Sequence, residues 1–131
     1  LPEMKEVQTT LEASSKKYED EFKNLQDEMQ KKYTEFQSLE ETTPSTIKDR
    51  RLQEMQELDQ KIQQFRQTAS EDLQRQQQQL MAPIQQKVMT AIQTVGQEGN
   101  FTFIFENMVP VYVGTDVTDV TPLVKAKLGI K

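Results

Sequence analysis

Any reaction run by this chain would have to be built from carboxylates: its 131 residues hold 21 Asp and Glu but no histidine and no cysteine. Missing with those two residues are the commonest general base, the thiol nucleophile and the usual transition-metal ligands. The carboxylates are spaced for another purpose. Glu12–Lys16, Glu19–Lys23, Asp27–Lys31, Glu28–Lys32 and Glu57–Lys61 are i,i+4 pairs, the spacing at which opposite charges meet on a solvated helix face. No phosphate loop, glycine-rich fingerprint or metal spacing occurs, and no segment is suited to forming a pocket. The residues therefore predict a protein that is not an enzyme and needs no cofactor or metal.

The side chains left to do chemistry are those that make contacts. Tyr18, Phe22, Met29, Tyr33, Phe36, Met55, Phe65 and Met81 are aromatic or sulfur-bearing residues within helical patterns. Thioether side chains adapt to irregular partners. Aromatics are unusual on the seam of a two-helix coil, which Leu and Ile usually fill. They either pack against the facing helix or leave a loosely filled surface open to another chain.

The element that must position them runs from Thr46 to Gln97. Met55, Leu58, Ile62, Phe65, Ala69, Leu73, Leu80, Ile84, Val88, Ala91 and Val95 recur mostly at steps of three, four or seven, which predicts a long helix with a narrow apolar seam. Such a helix reaches on the order of 75 Å and needs an antiparallel partner to cover its seam. Residues 4–41 supply one, with Met4, Leu11, Tyr18, Phe22, Leu25, Met29, Phe36 and Leu39 on its seam and Ser15 and Lys32 as polar breaks. Pro44 disfavours helix at Thr43, and Ser45 or Thr46 is suited to cap the next helix, so the tip is expected at residues 42–46. The basic cluster Lys48, Arg50 and Arg51 lies just behind it.

The heptads of the second helix stutter at Ala69 to Leu73 and again at Leu80, Ile84 and Val88, which locally unwinds a supercoil. Pro83 removes a backbone donor and is expected to kink the helix without ending it, as a hinge or as a fixed bend. Beyond it Met81, Ile84, Val88, Met89, Ala91, Ile92 and Val95 cover more than one face, so this end is expected to enter a body with several walls. In that body, residues 100–131, Phe101–Phe105 and Val109–Val113 alternate in the period of β-strands around a turn at Asn107. Thr121 is expected to cap a last short helix with Pro122 at its first position and Leu123, Val124 and Leu128 on its apolar face, which Gly129 stops. The predicted fold is mainly α: one domain over 1–131, a long antiparallel helical hairpin, and a small β body of two or more short strands with a C-terminal helix. So small a body lacks a staple and is expected to oligomerise. Its core would be Ile84, Val88, Ile92, Val95, Phe101, Phe103, Phe105, Val111, Val113, Leu123, Val124 and Leu128.

Hydrophobic residues make up 34% of the chain and charged residues 28%, with a net charge of −5. The negative charge disfavours nucleic acid and membrane-surface partners, and no apolar run is long enough to span a bilayer.

The chain resembles the Skp/OmpH family of periplasmic chaperones. The resemblance covers the whole element order and is most specific at Leu1-Pro2-Glu3 entering the first helix, at Pro83-Ile84, at Phe101–Phe105, and from Asp119-Val120-Thr121 through Val124-Lys125 to Leu128-Gly129. It implies a periplasmic homotrimer that holds unfolded outer-membrane β-barrel proteins between helical tentacles without ATP, and it implies no catalytic residue. The family usually carries a β-strand ahead of the Leu-Pro-Glu position, and its well-known members are strongly basic. Here the chain opens at Leu1 and is acidic. The other reading of the residues is a coiled-coil scaffold or spacer that binds one folded partner. A scaffold needs regular heptads, whereas stutters, aromatics and a proline suit a yielding cage.

Overall fold

Two long glycine-poor stretches with apolar residues at three- and four-residue steps become two long helices. The computed structural model describes residues 1–131 and contains α1 (Pro2–Gln37), α2 (Ser45–Glu98) and α3 (Thr121–Lys127). Pro2 opens α1 with Glu3 in its first turn, where a fixed φ and a negative charge suit the positive end of the helix dipole. The helix ends at Gln37, before the expected Glu41. There the Ser38 hydroxyl donates to the Glu35 carbonyl at 2.8 Å, and a turn closes from the Thr43 N–H to the Glu40 carbonyl at 2.9 Å. The Pro44 carbonyl accepts from the N–H groups of Ile47 and Lys48 at 3.0 and 3.2 Å. Ser45 and Thr46 therefore lie inside α2 rather than capping it.

The chain forms two units. One is Gln8–Gln77, and the other joins Leu1–Val7 to Gln78–Lys131. Within Gln8–Gln77 the helices are antiparallel: Ser14 meets Gln76, Tyr18 meets Asp72 and Lys32 meets Glu54, so partners descend along α2 as they ascend along α1. Leu25, Leu58 and Ala69 are buried there, and no large side chain is sealed off completely. The seam is a single layer. Every buried side chain in the molecule is apolar, as expected where desolvating an unpaired polar group would cost more than the seam returns.

In the other unit Val7, Ile84, Ala91 and Val95 are buried. Lys87 Nζ donates to Glu3 Oε1 across the helices. Pro83 lies exposed within α2, which continues through it. The end of α2 is closed by a pair of reverse bonds. Phe101 N–H reaches the Gly96 carbonyl at 3.0 Å and Asn100 N–H the Gln97 carbonyl at 3.4 Å, with Asn100 left-handed at φ 53°. α3 ends in the same way. Ile130 N–H bonds to the Lys125 carbonyl at 2.9 Å and Gly129 N–H to the Ala126 carbonyl at 3.1 Å, with Gly129 at φ 69°. Both are Schellman endings, in which a left-handed residue turns the chain back onto the last carbonyls. Thr121 does not cap α3; it is the first helical residue, and its N–H donates to Asp119 Oδ1 at 2.9 Å.

The expected β body is not present: the molecule has three helices and no strand. The pattern at Phe101–Phe105 is overruled by the helix end before it. The Schellman turn folds Phe101 onto Gly99, and Ile104 reaches within 3.4 Å of where a Gly96 Cβ would stand. Inward residues are thus three apart, with a bend at Thr102, instead of two apart as in a strand. Phe103 and Phe105 turn outward and stack on each other, ring centroids 5.8 Å apart. A turn forms as Val109 N–H bonds to the Glu106 carbonyl at 3.0 Å, but no backbone bond joins 101–105 to 109–113. Without ladder partners, alternation alone does not make a strand.

Candidate functional site

The densest polar arrangement in the Gln8–Gln77 unit is centred on Asp72. Helical spacing places it: Ala69, Asp72, Leu73 and Gln76 follow one another at steps that return to the same face, and Ser14 and Tyr18 do likewise on α1. Tyr18 donates its phenol O–H to Asp72 Oδ2 at 2.5 Å, Gln76 Nε2 donates to the same oxygen at 2.6 Å, and Arg75 donates to Oδ1 at 2.5 Å. Ser14 Oγ donates to Gln76 Oε1 at 2.9 Å. The donors, led by the Tyr18 phenol and followed by Arg75 and Gln76, hold the Asp72 carboxyl at about 2. Reciprocally, the bond to Asp72 raises the Tyr18 phenol above its ordinary value. This is a carboxylate held ionised by its neighbours, and it lacks the raised pKa that a general acid needs. Farther along, partial burial pushes Glu54 up, but Lys32 and Arg51 outweigh it and hold it below the usual carboxylate range.

The contact residues read from the sequence fall into distinct places. The Tyr18 ring rests on Phe65, centroids 5.8 Å apart and tilted by 58°. Phe22 lies under the Arg66 guanidinium at 5.5 Å, a cation–π contact. Phe36 is half-buried. Tyr33 is exposed and accepts a hydrogen bond from Gln37 Nε2 at 3.0 Å. Met29 of α1 and Met55 of α2 are brought together in one open depression, with Leu52, Gln56, Asp59 and Gln60 completing its walls. Met81, half-buried, belongs to the other unit.

The residues expected to form a body core divide sharply. Ile84 and Val95 are buried, while Val88, Ile92, Phe101, Val124 and Leu128 are half-buried. Phe103, Phe105, Val111, Val113 and Leu123 are exposed, Phe103 at 73% and Val111 completely. In the single chain these five are not core residues, because no second layer forms over them. Met108, Val109, Tyr112 and Val117 add to the same exposed apolar stretch.

The seam read from the sequence does not include Ser14, Asp72, Gln76 or Val7. The signal for Asp72 and Gln76 was the stutter itself, since a four-residue step from Ala69 brings positions three and seven onward to the facing side. No helix is long and apolar enough to cross a membrane, and no group of three or more acidic side chains is arranged to hold a metal ion.

Comparison with protein-family models matches residues 1–128 to the family described as outer membrane protein (OmpH-like). Comparison with curated proteins finds no match.

Proposed function

The chain belongs to the OmpH-like outer membrane protein family, and from that premise we propose that it is an ATP-independent holdase for unfolded outer-membrane β-barrel proteins, working in the periplasm as a homotrimer. The match over residues 1–128 carries the reading. Supporting it is a helical pair whose aromatic and sulfur side chains are left partly open: Tyr33 at the surface, and Met29 and Met55 lining one open depression. Weak contacts of this sort are individually small and tolerant of partner sequence, which suits clients that share no fixed fold. Tyr18, Phe22, Phe36 and Phe65 contribute to the same surface in this proposal, Met81 contributes separately from the other unit, and clients are enclosed between the helical pairs of three chains. Phe103, Phe105, Val111 and Val113, exposed in one chain, supply contacts between chains. Pro83 acts as the point of flexure. Chemistry on the client plays no part, and no cofactor is needed.

The deciding experiment is aggregation of an urea-unfolded outer-membrane β-barrel protein on dilution, with and without this protein and with no nucleotide present. Suppression at a fixed ratio of chains to client is expected. Unchanged aggregation, or suppression only when nucleotide is added, refutes the proposal. Sedimentation of the protein by itself tests the trimer, and Phe103→Asp is expected to dissociate it by placing a charge in an apolar contact. A stable folded monomer in the parent protein refutes that part.

A further inference from the structure

The apolar seam of the Gln8–Gln77 unit is interrupted where its heptads break. After Ala69 the next apolar residue is Leu73, and from Gln74 to Gln79 α2 offers the facing helix no apolar side chain at all. On α1 the corresponding turn carries Ser14 and Ser15. An apolar layer at this place would discriminate between registers one turn apart less strictly than a polar layer does. Side-chain hydrogen bonds join α1 to α2 at this break, Tyr18 to Asp72 at 2.5 Å and Ser14 to Gln76 at 2.9 Å, and the Lys32–Glu54 ion pair at 3.5 Å spans the helices nearer the tip. The Asp72 side chain is 20% exposed against 65% for Arg75, so the carboxylate faces the seam while its cation stays in solvent.

We propose that Ser14, Tyr18, Asp72 and Gln76 form a register clasp, a polar layer that admits one alignment of α1 against α2 and whose release lets the two helices slide by a turn. A slip of one turn in one direction sets the Phe22 ring against the Asp72 carboxylate, which loses the Tyr18 donor and keeps only Arg75 and Gln76 of its own helix, a costly loss on the side that faces the seam. A slip in the other direction replaces the Tyr18 phenol with the shorter Ser14 hydroxyl and leaves Gln76 level with Thr10. Polar layers of this kind specify register at some expense of stability, because wrong alignments strand a charged or polar group. The clasp also determines a surface. The depression between Met29 and Met55 is built from both helices, so it exists in one register and is dismantled in the next. The clasp is thereby a conformational device: it determines whether those two thioethers face the same space. It stands on the geometry of the helix pair and is independent of what the depression binds.

The test separates register from stability. Spin labels at Lys23 on α1 and Gln53 on α2, both exposed, report axial sliding, and labelled chains are diluted into unlabelled ones so that distances are within one chain. In the parent protein one narrow distance is expected. Tyr18→Phe combined with Asp72→Leu keeps the ring on Phe65 and makes the layer apolar. A second distance, displaced by about 5 Å for one helical turn, is expected to appear, with a melting temperature equal to the parent's or higher. Tyr18→Phe with Asp72→Asn, which preserves side-chain volumes, is read in the same way should the first variant fold poorly. A single narrow distance in the folded variants, whatever their melting temperature, overturns the clasp.

Discussion

The ring of Phe101 occupies the space where a side chain on Gly99 would begin: a Cβ built there stands 2.4 Å from Phe101 Cε2 and 3.1 Å from the Val95 carbonyl oxygen. Gly96, one turn earlier, has its nearest neighbour, Ile104 Cδ1, at 3.4 Å. The two glycines should therefore respond to alanine with opposite signs. Gly99→Ala has to displace the ring, and overpacking of this kind costs about 1 kcal/mol or more. Gly96→Ala meets only ordinary contact and removes backbone entropy from the unfolded chain, a gain of about 0.5 to 1 kcal/mol. Urea denaturation of both variants checks this, and the same sign for both would show that Phe101 is not held on Gly99.

The Asp72 layer predicts a pH dependence with two limbs. The folded Asp72 carboxyl lies at about 2, below the roughly 3.9 of an unfolded aspartate. Its stabilisation is complete above about pH 4 and disappears as the pH falls towards 2. The Tyr18 phenol is raised, so its share is complete below about pH 10 and lost as the pH rises through the folded value. Facing Asp72 are Tyr18 from α1 and Arg75 and Gln76 from α2. Thermal melts of the parent and of Asp72→Asn should differ fully at neutral pH and converge as the pH falls from about 4 towards 2. A gap that stays constant to pH 2 would remove the carboxylate from the account.

Pro83 leaves the Gln79 carbonyl without the usual N–H donor four residues on, and both residues are solvent-exposed. Water can satisfy that carbonyl, so the proline's cost is reduced from the usual ~3 kcal/mol but not abolished. Pro83→Ala is expected to stabilise by about 1 to 3 kcal/mol, read as a higher urea midpoint at unchanged m-value. If Pro83 also acts as the point of flexure, the variant will slow amide exchange over Gln79–Lys87. Faster or unchanged exchange there would leave the proline with no mechanical role.

Client contact is expected to be spread over many residues. Met29→Ser, Met55→Ser and Tyr33→Ser should each weaken retention of an unfolded β-barrel less than about threefold, and all three together roughly tenfold or more. Phe65 is left alone because Tyr18 rests on it. One of these substitutions abolishing retention of every client, with helix content intact, would indicate a discrete site for a folded partner.

How far the residues alone reach differs along the chain. The seam of α2 was legible from Met55 to Val95 because each of those residues is buried or half-buried in the structure and a helix satisfies its own backbone, so local periodicity is enough to determine it. The charged faces, the family and the turn near Asn107 were legible for the same local reason. Asp72 was not, because its importance depends on which α1 residue stands opposite, and register is a property of two helices. The stretch Phe101–Val113 misled for a deeper reason. A strand exists only when another strand accepts its hydrogen bonds, and within this chain the Schellman end of α2 takes Phe101 and Ile104 for packing before any ladder forms. The sequence determined where helices lie and which stripe of each is apolar. Only the tertiary structure decided which polar groups face each other across that stripe, and whether an alternating segment finds anything to pair with.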